Sequence, residues 1–137
     1  MRLDRLALIC RSHALAAVSG EALSAAFHAA LTRLNPTAAA RSTDSEACSR
    51  WLATLLGVLV ESQRHPQRCK MLFATLARRY ARRDMDDAIY DDIGAALLIA
   101  LREVLGKRYN EAVEEAWASL YAELAETMIG QARCATA

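Results

Sequence analysis

The chain has 137 residues, 17 of them basic and 16 acidic, and 54% are hydrophobic. This composition excludes a disordered chain, and a net charge of +1 gives no general electrostatic attraction to nucleic acid. No apolar run approaches the ~20 residues that a membrane-spanning helix needs. The sequence holds 29 Ala and 19 Leu but only five Gly and two Pro, which predicts an all-α chain forming a single domain over residues 1–137.

The cysteines and the N-terminal segment indicate a cytoplasmic protein. The segment MRLDRLALIC has an early acidic residue and no long apolar stretch, so it is not typical of a signal peptide. The four cysteines are scattered without a CxxC pair. We therefore expect them to be reduced and to serve mainly as small packing residues.

Apolar residues at helical spacing predict three helices in the first half of the chain. The step Asn35-Pro36 ends the second, because a residue before proline avoids the α-helical region. Thr43 and Glu46 have the spacing of a capping box, which begins the third helix. The predicted spans are about 3–18, 21–34 and 44–63.

Three further helices follow the step His65-Pro66, where proline suits a first helical turn. Asp86 or Asp87 caps the fifth helix, Gly106 stops it, and Asn110 caps the sixth. The predicted spans are about 66–83, 87–105 and 111–130, with a frayed tail over 131–137.

Three segments of these helices carry a family resemblance. They are AFHAALTRLNP (26–36), YDDIGAALLIALREVLG (90–106) and AWASLYAELAETM (116–128). In this order they resemble motifs of bacterial single-domain haemoglobins and of the globin domain of flavohaemoglobins. The resemblance implies a globin-like bundle of about six to seven helices packed as a helix-on-helix sandwich. An unrelated Ala/Leu-rich bundle is the alternative.

The resemblance also implies where haem iron would be held. In that family the proximal ligand is a His ten residues before the Tyr that corresponds to Tyr90; here that position is Tyr80, and no His follows His65. Tyrosinate is a known haem ligand, but a phenol must first lose its proton. Tyr80 is therefore either an iron ligand or a core tyrosine. His28, which replaces the distal Tyr, is either a pocket residue and second iron ligand or an ordinary helix histidine.

The other pocket positions implied by the resemblance are Phe27, Cys48, Leu52, Leu76 and Tyr90. Two further family features are missing: the segment 37–43 has no porphyrin-packing Phe, and Ala112 stands where the family has an acid. The expected cofactor is therefore either none or a haem without proximal His ligation. The basic run 78–83 fits a solvated helix end, with haem propionates or a partner's acidic patch as the alternative.

Two functions remain open from the sequence. The first is a haem-free or atypical globin acting as a sensor or interaction module, with a protein partner or a homodimer through the last two helices. The second is a haem-binding globin ligated by Tyr80, His28 or both, for gas binding or sensing or for nitric oxide or peroxide chemistry. No catalytic triad or phosphate-binding loop is visible, and we expect no enzyme activity.

Overall fold

A computed structural model describes the backbone of residues 2–37, 45–80 and 87–136, and the side chains of 5–37, 50–75 and 88–130. Within these ranges all regular structure is helical, which confirms the all-α prediction. Short 3-10 turns at Pro66–Arg68 and Gly106–Arg108 lead into or out of α-helices. The α-helices are α1 (Arg2–Val18), α2 (Gly20–Leu34), α3 (Ser45–Arg64), α4 (Cys69–Tyr80), α5 (Asp87–Leu105) and α6 (Glu111–Thr136).

The two prolines mark helix boundaries as predicted. Asn35 leaves the helical conformation, with φ −151° and ψ 83°, and its N–H donates to the carbonyl of Leu31 as the last bond of α2. After His65, however, the chain forms a 3-10 turn beginning at Pro66, and α4 itself begins only at Cys69. The capping box at Thr43 and the predicted end of the fourth helix at 81–83 lie outside the described residues.

Gly106 and Asn110 shape the corner between α5 and α6. Gly106 has a positive φ of 55°, which ends α5 in a conformation that side-chain-bearing residues rarely adopt. The Asn110 side-chain oxygen accepts the N–H of Val113 at 3.0 Å and caps α6. At its other end α6 continues past Gly130 to Thr136. The predicted end near Gly130 differs because an isolated glycine costs only about 1 kcal/mol inside a helix and does not stop it.

The core lies where these helices cross. The most extensive contact is between α2 and α5, and both helices carry buried alanines, Ala26 and Ala30 on one and Ala96 and Ala100 on the other. Such small side chains let two helices approach closely. α6 packs on α4, α1 and α5. The largest fully buried side chains are Trp117, Tyr90 and Phe27.

A helix that crosses a membrane must be both long and apolar. None of the described helices alone is long and apolar enough to cross a membrane. Taken together, α1 from Arg5 and α2 reach the necessary length and hydropathy, but the two helices are bent by 98° at Ser19.

Candidate functional site

The faces of α2 and α3 meet at Phe27 and Trp51, and Leu52 follows Trp51 on α3. Phe27 is 1% exposed and Leu52 is 2% exposed, so both predicted pocket residues lie in the core. The ring of Trp51 packs against that of Phe27 with centroids 5.8 Å apart and planes tilted by 38°. The helical pattern predicts an inward Trp51 but not that its ring covers Phe27, since this contact depends on how α2 and α3 cross.

His28 follows Phe27 on α2 at the edge of this buried face. Its side chain is half-buried, and its backbone carbonyl accepts a hydrogen bond from the hydroxyl of Thr32 at 2.8 Å. His28 therefore follows Phe27 in the chain, about 100° further round α2, at the edge of the buried stripe.

Tyr90 is a buried residue of α5, and α6 is hydrogen-bonded to its backbone. It is 2% exposed, and its backbone carbonyl accepts a hydrogen bond from the Tyr121 hydroxyl at 2.8 Å. Burial is the main cause that raises the pKa of Tyr121 above the ordinary value of 10, and the nearby Tyr90 raises this pKa further. Tyr121 thus stays protonated and acts as a fixed donor that ties α6 to α5.

Three of the predicted site residues are described only by their backbone. Tyr80 is the last residue of α4, Leu76 lies one turn before it, and Cys48 lies in the first turn of α3. Their side chains, like those of the basic run 78–83, fall outside the described residues. Their predicted roles as ligand or pocket residues remain predictions.

The described donors do not assemble into a metal centre. No group of three or more His, Cys, Asp and Glu side chains is placed to hold a metal ion within the described ranges. His65 lies 3.8 Å from Glu61, and His13 lies half-buried on α1 near Arg64. Cys10 and Cys69, the two cysteines with described side chains, are not joined by a disulfide.

Two features of the chain disagree with an ordinary globin haem site. No imidazole follows His65, so α4 to α6 contain no histidine that could hold iron from the proximal side. A side chain that lines a cavity large enough for haem has surface exposed to that cavity. Phe27, Leu52 and Tyr90, however, are each at most 2% exposed. The residues present therefore do not fit a conventional His-ligated haem.

Comparison with known proteins identifies the fold family. The globin family model matches residues 21–128, which include the described parts of α2 to α5 and most of α6. No curated protein sequence matches the chain. The family match excludes the alternative of an unrelated helical bundle. Together with the order and packing of the helices, it shows that the chain belongs to the globin family.

Proposed function

We propose that this globin, of the bacterial haemoglobin type, works without conventional haem and acts as a sensor or interaction module. The proposal rests on the burial of Phe27 and Leu52, which are 1% and 2% exposed. These residues lie on the faces of α2 and α3 where the resemblance places the distal side of haem. Trp51 contributes to that burial through its contact with Phe27.

The missing proximal imidazole supports the same proposal. A neutral imidazole offers a lone pair near neutral pH, whereas a phenol has an ordinary pKa of about 10 and is a poor ligand until it ionises. Tyr80 at the end of α4 is therefore a weaker ligand for ferrous iron than the histidine it replaces. Reversible oxygen carriage, which needs ferrous iron, is disfavoured.

Haem loading tests the proposal directly. The protein is produced in haem-supplemented cells, purified, and its visible spectrum recorded; a separate portion is titrated with haemin. We expect no stoichiometric Soret band in either sample. A band corresponding to one haem per chain, unaffected by washing with a haem-binding competitor such as apomyoglobin, would contradict the proposal.

Haem ligation by Tyr80 or His28 is the second candidate. It is favoured by the half-buried His28 directly after Phe27 and by Tyr80 at the end of α4, next in sequence to Arg79. If haem binds, Tyr80→Phe and His28→Ala should each alter the absorption spectrum of the bound haem. His65→Ala is the matched control, because His65 lies just beyond the C-terminal end of α3, beside Glu61. Equal spectra for all three variants would exclude this ligation.

Self-association through α5 and α6 is part of the proposed module. The outer face of α5 carries Ile99, which is 37% exposed. Sedimentation of the protein should show a dimer that Ile99→Glu weakens. Met71→Glu is the matched control on α4, where Met71 is 59% exposed. A monomer at all concentrations, or equal effects of the two substitutions, would contradict pairing through these helices.

A further inference from the structure

A cavity of about 420 Å³ lies between α1 and the start of α6, away from the Phe27 and Trp51 contact. Its walls are the side chains of Leu8 and Leu15 from α1 and of Val113 from α6, and Ser12 lies among them. The volume falls in the range of about 300–1,000 Å³ typical of small-molecule sites. We name it the α1–α6 groove.

The inner wall of the groove is held in place by two buried groups. Trp117 is fully buried, and its indole N–H donates to the Ser12 hydroxyl oxygen at 2.8 Å. The Ser12 hydroxyl donates in turn to the carbonyl of Leu8 at 2.6 Å. Because the hydroxyl is already engaged, this wall offers a ligand mainly apolar surface.

Two arginines and Asn110 complete the lining. Arg11 on α1 and Arg108 in the 3-10 turn before α6 are both exposed. Within the described residues neither guanidinium is ion-paired or hydrogen-bonded to another side chain. No Asp or Glu lines the groove. Guanidinium groups match carboxylates through paired N–H donors, so the free charges favour an anionic head group.

The geometry points to the α1–α6 groove as a binding site for a free medium-chain carboxylate. The alkyl chain lies on Leu8, Leu15 and Val113, and the carboxylate is bound by Arg11 and Arg108. The occupant is a small amphipathic anion because the walls are apolar and the charges of the lining are both positive. A ligand here would contact α1 and α6 together and so stabilise α1 on the rest of the domain.

Calorimetric titration with decanoate tests the site. Decanol, with a similar chain but no charge, and butyrate, with the charge but a short chain, are the comparison ligands. We expect decanoate to bind at one molecule per chain, more tightly than either, and more weakly as salt is added, because exposed charges are screened. No binding of decanoate, or equal binding of decanol, would overturn the proposal.

Substitution of the arginines tests the charge contribution. Arg11→Gln and Arg108→Gln should each weaken decanoate binding by roughly threefold, and the double variant by roughly tenfold, as exposed ion pairs of about 0.2–1 kcal/mol imply. Arg33→Gln is the matched control, since Arg33 is exposed on α2 and does not line the groove. Equal affinities of the double variant and the control would overturn the assignment.

Amide chemical shifts locate the bound ligand. Decanoate should perturb the backbone signals of Leu8, Leu15 and Val113 and leave those of Leu52 and Trp51 unchanged. Perturbations confined to Leu52 and Trp51 would place the ligand between α2 and α3 and overturn the proposal. The site does not depend on the haem proposal: haemin and decanoate are titrated separately, so either result can fail alone.

Discussion

Gly94 of α5 lies directly beneath the aromatic ring of Tyr121 of α6. A Cβ atom at position 94 would stand 2.7 Å from Cε2 and 2.8 Å from Cδ2 of that ring. The ring cannot easily give way, because the Tyr121 hydroxyl is anchored on the carbonyl of Tyr90, one turn earlier on α5. The missing side chain at Gly94 therefore lets α5 and α6 approach at this crossing.

Gly94→Ala should destabilise the protein by about 1–3 kcal/mol, the usual cost of an overpacked core. The methyl group must displace the Tyr121 ring or push α5 away from α6. Urea unfolding followed by circular dichroism measures the change. The additional substitution Tyr121→Leu should recover part of the loss, because it removes the ring that the methyl group would meet.

Gly57→Ala and Gly130→Ala are the matched controls for that prediction. Both glycines lie inside helices, and a Cβ at either position would meet nothing within 4 Å. Alanine there should stabilise the protein by about 0.5–1 kcal/mol, because glycine loses more chain entropy on folding. Stabilisation by Gly94→Ala to the same degree would show that the approach to Tyr121 is not restrictive.

Ser12→Ala should cost about 1–3 kcal/mol, because it leaves the buried indole N–H of Trp117 without its acceptor. Trp117 is 0% exposed, so its indole N–H has no contact with solvent in the folded chain. The midpoint of urea unfolding measures the loss.

Ser62→Ala provides the comparison for Ser12. Ser62 is also buried, at 1% exposure, but its hydroxyl donates to the carbonyl of Leu59 in its own helix and otherwise meets the thiol of Cys69. On another helix its loss affects the thiol of Cys69, which is only a weak hydrogen-bonding group, so we expect a cost below about 1 kcal/mol. Equal costs for the two serines would show that the bond to Trp117 contributes nothing of its own.

Helix positions could be predicted from local chemistry, whereas contacts between helices could not. Pro36, Pro66 and Gly106 mark boundaries because each restricts or frees the backbone at its own position. The close pair Gly94 and Tyr121 is different. A glycine inside a helical pattern indicates a close approach only in general terms, and the residue that approaches is 27 positions away on another helix.

The candidate site likewise has features that the sequence predicts and contacts that depend on how the helices cross. The absence of histidine after His65 is visible in the sequence and already disagrees with ordinary haem ligation. That Trp51 covers Phe27, however, follows from the crossing of α2 and α3. The α1–α6 groove had no sequence signal either, because Arg11 and Arg108 are ordinary surface arginines until the fold brings their segments together.

Tyr80→His should give the protein measurable haem affinity, because it places an imidazole at the last residue of α4, where the family resemblance puts the proximal ligand. The covered side chains of Phe27 and Leu52 should keep loading below one haem per chain. Adding Trp51→Ala, which removes the ring packed on Phe27, should increase loading. Absorbance at saturating haemin measures both effects.

Trp51→Ala alone is the control, since it opens the same contact without supplying an imidazole. It should bind little haem, with helical content close to that of the parent by circular dichroism. Full loading of the Tyr80→His variant without any change at Trp51 would show that the missing ligand, and not the packing of α2 on α3, is the sole obstacle to haem.

His13 should make the stability fall at mildly acidic pH. Burial lowers the pKa of His13 below 6.5, and the charge of Arg64 lowers it further. Between that lowered value and 6.5 the unfolded chain binds more protons than the folded one, so protonation favours unfolding. The free energy of unfolding should fall as the pH drops below 6.5 and level off below the lowered pKa.

Urea unfolding between about pH 7.5 and 5, above the main range of carboxylate titration, measures this dependence. His13→Gln should flatten the profile, because it removes the group that titrates differently in the two states. Arg64→Gln should reduce the slope without abolishing it, since burial is the larger cause of the shift. A His13→Gln profile as steep as that of the parent protein would assign the pH dependence to other groups.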